Sequence, residues 1–113
     1  MSQKIMYRQG DVLLVKREGI HPFDPTDPYA SPRDAQGRIV LAHGEVTGHA
    51  HAIATPGVVA WGMQNQVLSV PDGVTAKLEH EEHAAIEIGP GVYDVIRQRE
   101  ATDAHERWQT VVD

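Results

Sequence analysis

Short apolar segments separated by glycine and proline turns recur along this chain, and they constrain its fold more than any other feature. The segments QVLSV and VTAKLEH flank the turn 71–73 (Pro-Asp-Gly), and a Gly-Pro-Gly turn at 89–91 precedes VYDVIRQRE. Strands that recur about every 8 to 12 residues between such turns are typical of a small sandwich or barrel. We therefore predict an all-β fold, a small β-barrel or sandwich of about seven to eight short, mostly antiparallel strands.

Two segments of the 113-residue chain depart from this pattern. Residues 21–37 contain four prolines, each of which removes a backbone donor and disfavours helix, so we predict a long proline-rich surface loop there. Residues 76–88 consist of good helix formers. The turns on either side favour strands, and we predict β structure there, with a helix as the alternative. The length fits one β domain over residues 1–113.

Histidine is concentrated in the middle of the chain, where His43, His49, His51, His80 and His83 account for five of the seven. If residues 48–54 form a strand, His49 and His51 point to the same face, with their Cα atoms about 7 Å apart. Two imidazoles at that spacing can share one metal ion. Because the chain has no cysteine, such a site would use imidazole, carboxylate and water.

A stable site needs three or four ligands, so the histidine pair would have to be completed from elsewhere. The candidates are His80 and His83, with Glu82 or Glu45 as a carboxylate. This donor set suits a divalent transition metal and does not distinguish Zn, Fe, Mn, Ni and Cu. Glu45 is also the candidate general base beside a metal-bound water. The alternative is that the histidines form an ordinary solvated face of a strand.

Charge patterning limits the partners that we expect. Arg97 and Arg99 share one face of the last patterned segment and could contact a carboxylate or phosphate, or else pair with acidic groups of the chain itself. The formal net charge of -6 argues against nucleic acid as a partner. No stretch approaches the roughly 20 apolar residues of a spanning helix, and the first residues lack the apolar core of a signal peptide. We expect a cytoplasmic protein without a membrane partner.

The chain resembles a family of small uncharacterised proteins of bacteria and their phages. The resemblance rests on four motifs, which are QGDVLL (9–14), LAHGEVTGHAH (41–51), HEEH (80–83) and QRE (98–100). That family implies no function, and it often has tyrosine where this chain has Ala101.

A second resemblance is to the cupins, small β-barrels that bind a metal through an H-x-H pair and a distant histidine. His49 and His51 are similar to that pair, and His83 or His80 would take the distant position. The spacing from Gly44 is one residue short of the cupin pattern, and Thr55 stands where a carboxylate ligand is expected. The resemblance implies a metal-binding β-barrel.

Two functional hypotheses follow from these patterns. The first is a metal-binding small β-barrel protein, a metalloenzyme of unknown substrate if the metal is catalytic. The second is a non-enzymatic, homo-oligomeric interaction module, of phage origin by its resemblance, with the histidines structural or at a subunit interface. A small-molecule ligand at the two arginines is a third, less specific reading. A metal site predicts imidazoles that converge, whereas an interface predicts imidazoles spread along one face.

Overall fold

The structure is a computed structural model that describes residues 4–44 and 48–98. Over these residues it is all-β, as predicted, with nine strands rather than seven or eight. The strands are β1 (Met6–Gln9), β2 (Val12–Arg17), β3 (Ile39–His43), β4 (Ala50–Ile53), β5 (Val59–Trp61), β6 (Val67–Val70), β7 (Ala76–Glu79), β8 (Ile86–Ile88) and β9 (Gly91–Arg97). Within these ranges no helix is long and apolar enough to cross a membrane.

The strands form two antiparallel sheets, one of five strands in the order β1-β2-β9-β6-β5 and one of four in the order β3-β4-β7-β8. The sheets do not close on each other in the described ranges, so of the two predicted architectures the sandwich is the one observed. Alternating side chains from both sheets fill the core, as in β7, where Ala76 and Leu78 are buried while Lys77 and Glu79 are exposed.

Residues 76–88 form β7 and β8, which confirms the prediction of strands over a helix. The two strands pair in the register Ala76↔Ile88 and Leu78↔Ile86, and residues 80–85, with a bend at 81–83, connect them. The HEEH motif therefore lies in a turn between strands and not on a strand face.

The sequence patterns miss strand β1. It pairs antiparallel with β2 across a tight turn in which Gly10 adopts a φ of +55°, a left-handed conformation that favours glycine. The register Gln9↔Val12 places Gln9 at the end of the strand, where its side chain is 3% exposed. The strand escapes prediction because its short stretch MYRQ has no apolar alternation.

The proline-rich loop 21–37 lies against the five-stranded sheet. The rings of Phe23 and Trp61 meet edge to face at 4.6 Å, and the amide of Ser31 donates to the carbonyl oxygen of Ala60 at 2.7 Å. The second contact satisfies a backbone group of β5, the outermost strand of that sheet. The loop is thus packed on the edge of the sandwich, on strands that do not carry the histidines.

Candidate metal centre

Four histidines meet where the start of β4 and the end of β7 lie side by side. Strands β4 and β7 pair in the register Ile53↔Leu78 and Ala52↔Glu79, which directs residues 80–83 toward His49 and His51. The ring centroids of His51 and His80 are 4.2 Å apart, those of His80 and His83 4.7 Å, and those of His51 and His83 5.6 Å. The His49 ring is 5.8 Å from that of His80.

His51, His80 and His83 form the inner triad. Each offers one ring nitrogen, and the three nitrogens all lie within 4.8 Å of one another. Nitrogens that share one tetrahedral ion at 2.0–2.1 Å are about 3.4 Å apart, so side-chain movements of about 1 Å would close this triad on an ion. His49 is not a member of this group, although the sequence places it on the same strand face as His51.

Gln9 determines which nitrogen of His51 carries the proton. Its amide nitrogen donates to the carbonyl oxygens of Leu78 at 3.0 Å and Ala84 at 2.9 Å, so its amide oxygen faces Nδ1 of His51 at 2.8 Å. An amide oxygen only accepts, and therefore Nδ1 of His51 is the donor. Nε2 of His51 keeps its lone pair, the arrangement found in metal-ligating histidines whose other nitrogen donates to a fixed acceptor.

The environment of His51 also keeps the ring neutral. Its side chain is 4% exposed, and burial, followed by the nearby charges that His80 and His83 would carry, lowers its pKa from 6.5 to about 4. At neutral pH the His51 ring is therefore in the neutral form, with one proton and one free lone pair, which is the form that binds a metal.

Glu82 orients His49, the histidine that lies outside the inner triad. Nδ1 of His49 donates to Oε2 of Glu82 at 3.0 Å, which leaves the lone pair of His49 on Nε2. The sequence offers Glu82 as a carboxylate ligand, and in the structure this carboxylate instead holds an imidazole. A carboxylate in this position fixes the tautomer and the ring orientation of the imidazole that it contacts.

His80 has a different constraint, because its Nδ1 accepts a hydrogen bond from the backbone amide of Glu82 at 3.0 Å. The neutral ring therefore carries its proton on Nε2. If Nδ1 binds an ion, its lone pair is no longer available to the amide of Glu82. If Nε2 binds the ion instead, the ring proton moves to Nδ1, where it points at the amide hydrogen of Glu82. Ligation of an ion by His80 breaks this bond in either case and so reorganises the 80–83 turn.

Two glycines form the wall of the site at positions where a side chain would collide with the histidines. A Cβ on Gly10 would lie 2.8 Å from Nε2 of His83, and one on Gly44 would lie 3.2 Å from Nε2 of His80. The result is a pocket of ≈ 400 Å³ at the cluster, which is lined by Gly10, Asp11, Gly44, His49, His51, His80, Glu82 and His83.

Arg97, another predicted site residue, does not lie among the imidazoles described above. Arg97 is 8% exposed and donates to the backbone carbonyl oxygens of Leu41 and Gln64, so its guanidinium helps to hold β3 and the β5–β6 connection in place. The proposed anion contact at Arg97 stays a prediction. Glu45, the candidate base, and Arg99 lie outside the described residues.

The site also contains residues that are absent from the sequence-based candidates, among them Gln9, Gly10 and Glu81. The first two belong to the QGDVLL motif, to which the sequence analysis assigns no role in the site. A glutamine at the end of a strand, directly before a turn glycine, was the available signal for a buried polar contact. Glu81 had no separate signal, because it is one of several acidic residues in an exposed segment.

One family model matches the chain over residues 8–98, and its description is "Domain of unknown function (DUF8820)". No curated protein and no solved structure gives a significant match. The matched range contains all four histidines of the cluster together with Gln9 and Gly10.

Proposed function

The chain belongs to the DUF8820 family, whose description names no activity, and we propose from the geometry of the histidine cluster that it binds a divalent transition-metal ion through His51, His80 and His83. The observation that carries this proposal is the convergence of three ring nitrogens within 4.8 Å. Imidazoles at a subunit interface have no reason to converge in this way, so the geometry favours a metal over the interaction-module hypothesis.

The state of the ligands supports the same proposal. His51 is buried and neutral, and Gln9 presents its Nε2 as an acceptor. A buried imidazole whose second nitrogen is held by a fixed partner is a feature of metal sites that contributes about 10- to 100-fold to affinity. A histidine that served only as a polar core residue would not need further imidazoles stacked against it.

Three imidazoles leave at least one coordination position open, on the side of the pocket. Structural zinc sites are closed by four protein ligands, whereas catalytic sites keep three ligands and a position for water or substrate. We therefore infer an open centre of the catalytic type, with the metal among Zn, Fe, Mn, Ni and Cu. The donor pattern is cupin-like in joining a strand histidine to distant ones, but here only His51 of the H-x-H pair joins the inner triad.

Metal analysis of protein prepared without a polyhistidine tag tests the proposal. The wild type is expected to hold one equivalent of a transition metal, and His51→Ala to retain much less than one equivalent. The matched control is His21→Ala, which removes an exposed imidazole in the proline-rich loop. A folded wild type that neither contains nor takes up Zn²⁺ or Co²⁺ would refute the proposal, as would equal losses in the two variants.

A further inference from the structure

A second set of ligands lies beside the inner triad. His49, His80 and Glu81 each offer one ligand atom, and these atoms also lie within 4.8 Å of one another. None of these three is buried: Glu81 is exposed and the two histidines are partly exposed. The inner triad also has an exposed member, His83, but it includes the buried His51. The two sets share one residue, His80, and we name the second set the outer triad.

The outer triad is prepared to bind a cation. The bond from His49 to Glu82 leaves Nε2 of His49 with its lone pair. Oε1 of Glu81 accepts the backbone amide of Ala50 at 2.9 Å, which fixes the carboxylate beside the start of β4. Because an ionised carboxylate has about four acceptor sites, this bond leaves room for an ion.

The shared His80 makes the two triads exclusive of each other. A neutral imidazole has one lone pair, so His80 can bind one ion at a time. Simultaneous occupancy would require both of its nitrogens, and its Nδ1 is the acceptor of the Glu82 amide. Each chain is therefore expected to hold one ion, in one triad or the other.

The two donor sets suit successive stages of uptake. The outer set contains a carboxylate oxygen, a hard ligand, and none of its residues is buried, so a hydrated cation can reach all three from solvent. The inner set has three imidazoles, which bind the later first-row ions more strongly than a mixed oxygen and nitrogen set. An ion can pass between them while it keeps His80, exchanging His49 and Glu81 for His51 and His83.

We propose that His49, His80 and Glu81 form an outer metal site that captures the incoming ion and transfers it to the inner triad through their shared ligand His80. This inference rests on the proposed metal-binding function. It adds a second site, an order of loading and a stoichiometry of one ion per chain.

Titration with Co²⁺ of a variant that lacks the inner triad tests the outer site itself. His83→Ala removes an exposed turn residue of the inner triad only, and it is expected to bind one Co²⁺ more weakly than the wild type. Adding Glu81→Gln should weaken this binding by at least about tenfold, because even indirect partners of a metal contribute that much. The control for charge is Glu79→Gln, which neutralises an exposed carboxylate on β7 outside both triads.

Uptake kinetics test the order of loading in an intact inner triad. Glu81→Gln in the otherwise wild-type chain should slow Co²⁺ uptake in a stopped-flow experiment by at least about threefold and leave the equilibrium affinity nearly unchanged. Glu79→Gln should change neither quantity. These uptake measurements do not depend on the His83→Ala variant, so they test the outer site even if circular dichroism shows that His83→Ala fails to fold.

The outcomes separate this inference from the proposed function. If the wild type binds Co²⁺ and folded His83→Ala does not, the outer site is refuted while the inner triad stands. Two ions bound per wild-type chain, or equal effects of Glu81→Gln and Glu79→Gln, would also overturn the inference. No binding by the wild type would refute the proposed function itself.

Discussion

Replacing Gln9 by methionine, which has a similar length and no polar end group, tests how the fold prepares His51. The change removes three hydrogen bonds and leaves the Nδ1–H of His51 buried without its acceptor. An orphaned buried donor costs about 1–3 kcal/mol and each lost carbonyl bond about 1 kcal/mol, for a total of about 3–5 kcal/mol. Loss of the group that orients a metal-ligating imidazole should also weaken metal affinity by about 10- to 100-fold.

Gln9→Glu separates the two effects. The carboxylate can still accept from Nδ1 of His51, but it has no donor for the carbonyl oxygens of Leu78 and Ala84. Urea denaturation of the metal-free proteins should show both variants destabilised by several kcal/mol.

Calorimetric titration with Zn²⁺, at a temperature where both variants are folded, provides the decisive comparison. We expect Gln9→Glu to bind at least about tenfold more tightly than Gln9→Met. Equal Zn²⁺ affinities for the wild type and Gln9→Met would show that Gln9 does not prepare His51 to bind a metal.

Three further predictions follow from the same site. Gly10→Ala places a Cβ 2.8 Å from Nε2 of His83 and should weaken Co²⁺ binding by at least about tenfold. The control is Gly19→Ala, where φ is also positive (+74°) but a Cβ would have no atom within 4 Å, so this variant should destabilise the fold without weakening Co²⁺ binding. Because the pKa of His51 is lowered from 6.5 to about 4, the unfolded chain binds its proton first as the pH falls. The free energy of unfolding of the metal-free protein should therefore fall by about 1 kcal/mol per pH unit from pH 6.5 toward 4, as measured by denaturant titration. A His51→Asn variant with the same pH dependence would contradict the assignment of this loss to His51. Zn²⁺ should also shift the amide resonance of Glu82 strongly in ¹H–¹⁵N spectra, because ion binding breaks the hydrogen bond that this amide donates to Nδ1 of His80. An unchanged Glu82 resonance in the Zn²⁺-loaded protein would exclude His80 as a ligand.

The strands were predictable because turn residues mark where most of them end. The turns at 71–73 and 89–91 mark the ends of β6, β7 and β9. These turns correctly predicted strands instead of a helix at 76–88. Strand β1 was missed because four residues with an arginine and a glutamine carry no period-two signal. The choice between sandwich and barrel depends on pairing between strands distant in sequence, which local patterns do not encode.

The candidate site was predictable in composition but not in arrangement. Strand geometry places His49 and His51 on one face, yet His51 joins the inner triad while His49 belongs to the outer one. The partners of both lie in the 80–83 turn, whose direction is fixed by the pairing of β4 with β7. The contact of Gln9 with His51 spans 42 positions and depends on tertiary packing alone.

X-ray absorption at the metal edge of the Zn²⁺-loaded wild type identifies the ligands of the ion. We expect a first shell with three imidazole nitrogens at about 2.0–2.1 Å and at least one further oxygen ligand from the open position. His51→Ala should retain less metal and show fewer imidazole nitrogens in the first shell, while His21→Ala should match the wild type. A first shell of oxygen atoms without imidazole scattering would contradict the claim that His51, His80 and His83 hold the ion.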